Sequence, residues 1–189
     1  MRGKLSALVV PMAVLLAGAC SGSDGGGDGA EPDTVSATEY ATGVCGAVAG
    51  WVDDIQALNE DLQSSLDPND IDALKDVMVD FLDDVVTATD SAISEVEAVG
   101  VPDVEDGEAA ADAVLTALRD SKAVFEDARD RVDGLSTADP AAFGEELQTL
   151  GTDLQTSMSG IGGELDRFAS PELDEAANDV AECDEVAAA

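Results

Sequence analysis

VLTALRDSKAVFEDARDRVDGL, residues 114–135, is the stretch of sequence that decides the fold. Its apolar or small residues recur at alternating steps of four and three: Val114, Leu118, Ser121, Phe125, Ala128, Val132 and Leu135. That spacing places them on one face of an α-helix, while the charged residues between them face away. The stretch therefore predicts an amphipathic helix packed in a bundle.

Three long segments and one short segment repeat this spacing. The first carries Tyr40, Val44, Val48, Trp51, Ile55, Leu58 and Leu62. The second carries Ile71, Leu74, Met78, Phe81 and Val85, and shifts after a stutter to Ile93 and Val96. The last long segment carries Phe143, Leu147, Leu150, Leu154, Met158, Ile161, Leu165 and Phe168. A short segment from Pro171 to about Val186 carries Leu173, Ala176, Val180 and Cys183. Each segment predicts a helix.

Short breaks separate these helices: Leu66-Asp67-Pro68, Gly100-Val101-Pro102, the turn from Ser136 to Pro140, and Ser170-Pro171. Asn69 or Asp70 is a suitable N-cap for the second helix, and Asp139 before a proline is one for the fourth. Long helices of similar length joined by short turns pack as antiparallel neighbours. We therefore expect residues 37–189 to form an all-α domain, an antiparallel up-down-up-down four-helix bundle with a short C-terminal fifth helix.

The N-terminus has a pattern of a different kind. Arg2 and Lys4 precede an uncharged run, residues 5–16, which closes on Ala17-Gly18-Ala19-Cys20. This resembles the signal peptides of bacterial lipoproteins, which end in a lipobox before a cysteine that receives a diacylglyceryl thioether. The resemblance implies that residues 1–19 are a signal peptide and that Cys20 is the lipidation site, carrying acyl chains such as palmitate. It also implies a chain anchored in the cell membrane, at the extracytoplasmic face.

The same residues leave an alternative open. Leu16 lies four residues before Cys20, and Ala17 occupies the position where a lipobox usually has Leu or Val. Ala17-Gly18-Ala19 is also an ordinary A-x-A cleavage site, after which Cys20 is a free first residue. Beyond the N-terminus, the acidic composition, rich in Ala, Gly, Asp and Val, is similar to that of small lipoproteins of high-GC actinobacteria. That similarity does not indicate a function.

Residues 20–36 are predicted to link the lipidated cysteine to the domain. From Ser21 to Asp33 the sequence is SGSDGGGDGAEPD, which contains no large apolar residue. Such a composition cannot form a core and behaves as a flexible tether, with an r.m.s. span of about 20 Å.

The net charge limits the partners. The signal peptide carries two of the eight basic residues and none of the 42 acidic ones, which leaves six basic residues and a formal charge of −36. Nucleic acids and anionic lipid headgroups need clustered Lys and Arg, so we exclude nucleic acid as a partner. An envelope protein with a basic or uncharged surface remains a candidate partner. The alternative is that the acidic residues only keep the helical surface solvated.

The cysteines test the topology. If Cys20 carries lipid, Cys45 and Cys183 remain, one near the start of the first helix and one beyond the end of the fourth. In an up-down-up-down bundle both positions lie at the same end, so the sequence predicts a Cys45–Cys183 disulfide in an oxidising compartment. A reactive thiol pair and a metal site are the competing interpretations, and both lack a CxxC spacing or any histidine.

Motifs for catalysis are missing from the sequence. The chain contains no histidine, which excludes Ser-His-Asp triads, HExxH zinc sites and Glu-x-x-His di-iron sites. We therefore predict no catalytic residue, no cofactor and no enzymatic activity. Two acidic turns, residues 67–72 and 103–108, hold several oxygen ligands but do not fit an EF-hand, so helix capping is the preferred explanation. Weak binding of divalent cations remains open.

Four of the six remaining basic residues lie on the third helix: Arg119, Lys122, Arg129 and Arg131. They favour pairs within the helix, Lys122 with Glu126 and Arg131 with Asp127, or a mixed-charge face for a protein partner. The sequence as a whole favours a non-catalytic helical interaction or scaffold module anchored to the membrane. The alternative is a lipoprotein that binds a ligand, either calcium or a small apolar molecule.

Overall fold

A computed structural model describes residues 34–67, 70–165 and 170–188. Four long helices follow one another: α1 (Ala37–Ser65), α2 (Ile71–Val99), α3 (Gly107–Gly134) and α4 (Pro140–Leu165). Two short helices, α5 (Pro171–Asn178) and α6 (Ala181–Ala188), follow them. The predicted helical bundle with a C-terminal helical extension and one disulfide is confirmed.

The domain begins three residues earlier than expected. Thr34–Val35 forms a short strand, β1, which pairs in parallel with β2 (Val101–Pro102), the segment between α2 and α3. Ser36 then caps α1, because its side chain accepts a hydrogen bond from the Glu39 backbone while the Glu39 carboxylate accepts one from the Ser36 backbone. Two hydrogen bonds hold the pKa of Glu39 below its usual value: the larger effect comes from the Ser36 hydroxyl and the smaller from the Ser36 backbone N–H. Residues 34–36 of the expected tether are therefore part of the folded domain.

The helix boundaries follow the predicted capping residues. Asp70 accepts a hydrogen bond from the Ala73 backbone and caps α2, and Asp139 accepts bonds from the Ala141 and Ala142 backbones at the start of α4. Gly100 ends α2 with φ 93°, a conformation that favours glycine. The caps therefore place the turns where the sequence predicted them.

The core consists of three clusters along the bundle. The largest lies among the four long helices and contains Leu82, Val85, Phe125, Ala128, Val132 and Leu150. The second, formed by α1, α2 and α3, contains Ala47, Ile93, Val96 and Leu118. At the stutter in α2, the fully buried Thr89 continues the steps of four and three between Val85 and Val96. A polar residue therefore completes a stripe that appeared interrupted when only apolar residues were counted.

The C-terminal extension packs against the first half of α1. Ala41 of α1 forms the third cluster with Ala176 of α5 and Val180, which lies between α5 and α6. The expected single fifth helix is broken at Asp179 and Val180, where the Asp179 backbone bonds back to Ala176 and Ala177. The break divides the extension into two short helices, and Val180 at the break is buried against Ala41 of α1.

The predicted signal peptide (residues 1–19), Cys20 and the tether up to Asp33 lie outside the described residues. Phe168 and the side chains of Ile161 and Leu165 also lie outside them. Among the helices that the structure describes, none combines the length and the apolar character needed to span a bilayer.

Candidate functional site

The disulfide joins the two ends of the folded domain. Cys45 on α1 and Cys183 on α6 are 138 residues apart in sequence, with their Cα atoms 4.9 Å apart and their sulfur atoms bonded. The predicted pairing is therefore present. It covalently attaches the C-terminal extension to the first half of α1.

Basic residues link α2 to α3 in a regular series. Arg119 contacts Glu97 at 2.6 Å, Lys122 contacts Asp90 at 2.7 Å, Arg129 contacts Asp83 at 3.1 Å and Lys75 contacts Asp133 at 3.8 Å. We call these four pairs the charge ladder. Residue numbers rise on one helix as they fall on the other, as expected for antiparallel neighbours. The hydrogen bond with Asp90 raises the pKa of Lys122 above its ordinary value, although burial opposes the shift.

The predicted pairs within α3 are present but longer. Lys122 and Glu126 are 3.7 Å apart, and Arg131 and Asp127 are 3.9 Å apart, whereas Arg131 reaches Asp153 of α4 at 3.1 Å. All five basic residues in the described part of the chain therefore contact a carboxylate on a neighbouring helix. The basic residues that suggested a mixed-charge face for a partner lie in contacts between helices of the domain.

A row of acidic residues lies on the surface of α2. Asp72, Asp76, Asp80 and Asp84 recur every four residues, all four are exposed, and none has a basic partner in the described part of the chain. We call this row the acidic stripe. Like charges at this spacing destabilise a helix by about 0.2 to 0.5 kcal/mol per pair. The stripe therefore weakens α2 while it presents four carboxylates to the outside.

A pocket of about 300 Å³ lies where α1, the end of α2 and the start of α3 meet. Its wall includes Tyr40 and the apolar residues Val96, Val101, Ala111 and Leu115. Three carboxylate residues complete the lining: Glu97, Glu108 and Asp112. We call this the tyrosine pocket.

The hydroxyl of Tyr40, a residue that lines this pocket, is itself buried. Only 4% of the residue is exposed, and the buried hydroxyl has no hydrogen-bond partner in the described part of the chain. Burial raises the pKa of Tyr40 to about 12. A buried hydroxyl without a partner is destabilising, because it has lost water and gained nothing in return.

The carboxylates of the pocket differ in their pairing. Glu97 contacts Arg119 in the charge ladder. Glu108 and Asp112 lie one helical turn apart on α3, are exposed, and have no ion pair in the described residues. The pocket therefore combines an apolar wall with two carboxylates that have no basic partner among the described residues.

The acidic turn of residues 103–108 behaves differently from the capping prediction, whereas Asp70 in the other acidic turn caps α2 as expected. Asp106 precedes α3 in a left-handed conformation, with φ 60°, and its side chain makes no capping hydrogen bond. The turn is held by the Gly107 backbone, which donates to the Val104 carbonyl, and a Cβ at position 107 would collide with the Pro102 carbonyl. The prediction that the acidic side chains of this turn cap α3 is therefore wrong for Asp106, because backbone hydrogen bonds close the turn. In the ranges that the structure describes, no three candidate ligands lie close enough to hold a metal ion.

Two polar residues of interest were not identified as such from the sequence. The apolar pattern includes Tyr40 in the stripe of α1 and passes over Thr89, because threonine is polar. Tyr40 is the only tyrosine of the chain, and a hydroxyl on a core face is a signal that a partner must be found.

Comparisons with protein-family models, with curated proteins and with solved structures found no match for this chain.

Proposed function

We propose that the chain is a lipid-anchored lipoprotein of the extracytoplasmic face of the cell membrane, and that its helical domain is a non-catalytic interaction module. The N-terminal sequence that ends at Cys20 supports the anchor. The Cys45–Cys183 disulfide supports an oxidising compartment, since disulfides persist outside the cytoplasm and are rare within it. The absence of histidine from the sequence removes the commonest general base and agrees with a non-catalytic role.

The proposal for a partner is supported by where the basic and acidic residues lie. The charge ladder uses the basic residues between α2 and α3, whereas the acidic stripe on α2 is exposed and has no basic partner among the described residues. A surface of this kind attracts a basic protein surface and repels acidic ones. We therefore propose a protein of the cell envelope with a basic face as the partner.

Detergent phase separation tests the anchor. The full chain should enter the detergent phase, and the Cys20→Ala variant should move to the aqueous phase or remain unprocessed. The Ser23→Ala variant is the control, because it changes a nearby residue and leaves both the lipidation site and the disulfide in place. Equal partition of the full chain and the Cys20→Ala variant, both processed, would contradict a lipid at Cys20.

Cross-linking in the native membrane tests the partner. The stripe variant changes four residues: Asp72→Asn, Asp76→Asn, Asp80→Asn and Asp84→Asn. The control removes the same charge elsewhere, at exposed positions: Glu60→Gln, Asp61→Asn, Glu145→Gln and Glu146→Gln. We expect the parent and the control to cross-link to the same basic envelope protein, and the stripe variant to lose that product. Loss in both variants would mean that only net charge matters.

A further inference from the structure

We propose that the Cys45–Cys183 disulfide is a redox-sensitive latch that holds the C-terminal extension, α5 and α6, against α1. Reduction of the bond releases the extension, while α1 to α4 stay folded. The proposal rests on the contacts and charges of the extension, and it depends neither on the lipid anchor nor on the acidic stripe.

The apolar contact that the extension makes with the rest of the domain is small. Among the described helices, α5 and α6 pack mainly on α1. The extension buries Ala176 and Val180 against Ala41 of α1, and Ala37 and Ala177 are partly buried beside them. Because stabilisation by burial is roughly proportional to the apolar area removed from water, a contact made largely of alanine is weak.

The charges on the two sides oppose this contact. Helix α1 contains acidic residues and no lysine or arginine. No ion pair among the described residues joins the extension to another part of the domain. Residues 171–188 contain no basic residue and seven acidic ones: Glu172, Asp174, Glu175, Asp179, Glu182, Asp184 and Glu185. The negative charge of the domain therefore repels the extension.

The helices of the extension are too short to be stable alone. Each has eight residues, and isolated helices shorter than about 12 residues are marginal in water. The break at Asp179 and Val180 prevents them from joining into one longer helix. The extension is therefore ordered by its packing on α1, and the covalent bond between Cys45 and Cys183 is the strongest link that keeps it there.

The bundle does not need the extension for its core. The two larger clusters contain residues of α1 to α4 and none of the extension. Release of the extension leaves these clusters packed and uncovers the face of α1 around Ala37 and Ala41. This effect is separate from loop closure, by which the same bond stabilises the domain against complete unfolding. The latch thus couples the redox state of one bond to the exposure of one face of α1.

The bond is placed where a reductant can reach it, since Cys45 and Cys183 are both partly exposed. The reductant of this step is a protein dithiol. One of its thiolates attacks a sulfur of the bond and forms a mixed disulfide, and its second thiol then displaces that cysteine. The dithiol becomes a disulfide, and its two electrons and two protons convert the bond into the thiols of Cys45 and Cys183.

Hydrogen–deuterium exchange at labelling times of seconds tests the latch on the full chain. Peptides from residues 171–184 report on the extension, and peptides from α3 report on the bundle. In the oxidised protein both sets should be protected. After reduction with dithiothreitol the extension should lose its protection, whereas α3 should keep it. The double variant Cys45→Ser, Cys183→Ser should match the reduced protein without any reductant, which controls for effects of dithiothreitol itself.

Two results of this exchange experiment would overturn the latch. The first is an extension that stays protected after reduction or in the double variant, because its own contacts then suffice to hold it. The second is a loss of protection in α3 together with the extension, because the bond then holds the whole domain rather than the extension.

Alkylation of the folded protein tests whether a reductant reaches the bond. With a protein dithiol and iodoacetamide present and no denaturant, Cys45 and Cys183 should both become labelled, and without the dithiol neither should. Absence of label in the presence of the dithiol would contradict a latch that responds to such a reductant.

Discussion

The indole Nε1 of Trp51 donates a 3.0 Å hydrogen bond to the Thr89 hydroxyl, which itself donates at 2.8 Å to the Val85 carbonyl. This chain of two bonds joins α1 to α2 between the two larger core clusters. Thr89 is fully buried, whereas the indole of Trp51 is half-buried. A polar contact thus fixes how α1 lies against α2 at the point where the apolar stripe of α2 shifts register.

Thr89→Val should lower the free energy of unfolding by about 1 to 2 kcal/mol. The substitution keeps the shape of the side chain but leaves the Trp51 indole without its acceptor. Urea unfolding followed by the fluorescence of Trp51, the only tryptophan of the chain, measures the change. Thr87→Val is the matched control, because Thr87 is exposed and bonds only to a carbonyl of its own helix. Equal stability of Thr89→Val and the parent would show that the bond contributes nothing.

Removal of the disulfide should destabilise the domain strongly. In the double variant Cys45→Ser, Cys183→Ser, loop-closure entropy predicts a loss of about 5 kcal/mol for a loop of 138 residues. Urea unfolding monitored by circular dichroism measures it, and reduction of the parent should reproduce the shift. If the urea midpoint is the same with and without the bond, the chain-entropy account is wrong for this domain.

Alkaline pH should destabilise the protein through Tyr40. Burial raises its pKa to about 12 from the ordinary value of 10.0, so the folded state favours the protonated phenol. Below pH 10 the phenol is protonated in both the folded and the unfolded state, so it does not make stability depend on pH. As the pH rises from 10 to 12 the phenol ionises in the unfolded state first, and the free energy of unfolding falls by about 3 kcal/mol in all. Stability curves of the parent and Tyr40→Phe should therefore diverge in that window. A tyrosinate absorbance titration with a midpoint at pH 10 would contradict the burial of the hydroxyl.

Salt should stabilise the domain despite its ion pairs. Going from about 0.01 M to about 1 M sodium chloride shortens the Debye length from roughly 30 Å to roughly 3 Å. The repulsion among the excess carboxylates is then screened, while each exposed ladder pair contributes at most about 1 kcal/mol. We expect the melting temperature to rise, and to rise less in the stripe variant. A fall would mean that the charge ladder outweighs the net charge.

The helical pattern predicted the fold well because the stripe in α3 is regular and because proline, glycine and capping residues mark the turns. It also placed Cys45 and Cys183 at one end of the bundle. Periodicity could not reveal Thr89, since a polar residue is buried only when a partner such as Trp51 lies opposite. Nor could it show the pairing of β1 with β2, which depends on the position of the turn after α2.

The site was less predictable than the fold. The sequence showed where the basic residues of α3 lie, but their strongest contacts are with other helices and depend on how the helices are aligned. The tyrosine pocket requires three elements to meet: α1 supplies Tyr40, the end of α2 supplies Val96, and α3 supplies Glu108 and Asp112. The burial of Tyr40 and the lack of basic partners for Glu108 and Asp112 among the described residues can be recognised only when these elements are in place.

The intact mass of the protein extracted from its native membrane is the most direct test of the central claim, a lipid-anchored and disulfide-closed helical domain. We expect a chain that begins at Cys20, heavier by a diacylglyceryl group and lighter by the two hydrogens lost in the Cys45–Cys183 bond. A chain that begins at Cys20 without lipid, or one that retains residues 2–19, would contradict the anchor. A mass without the loss of two hydrogens would contradict the disulfide.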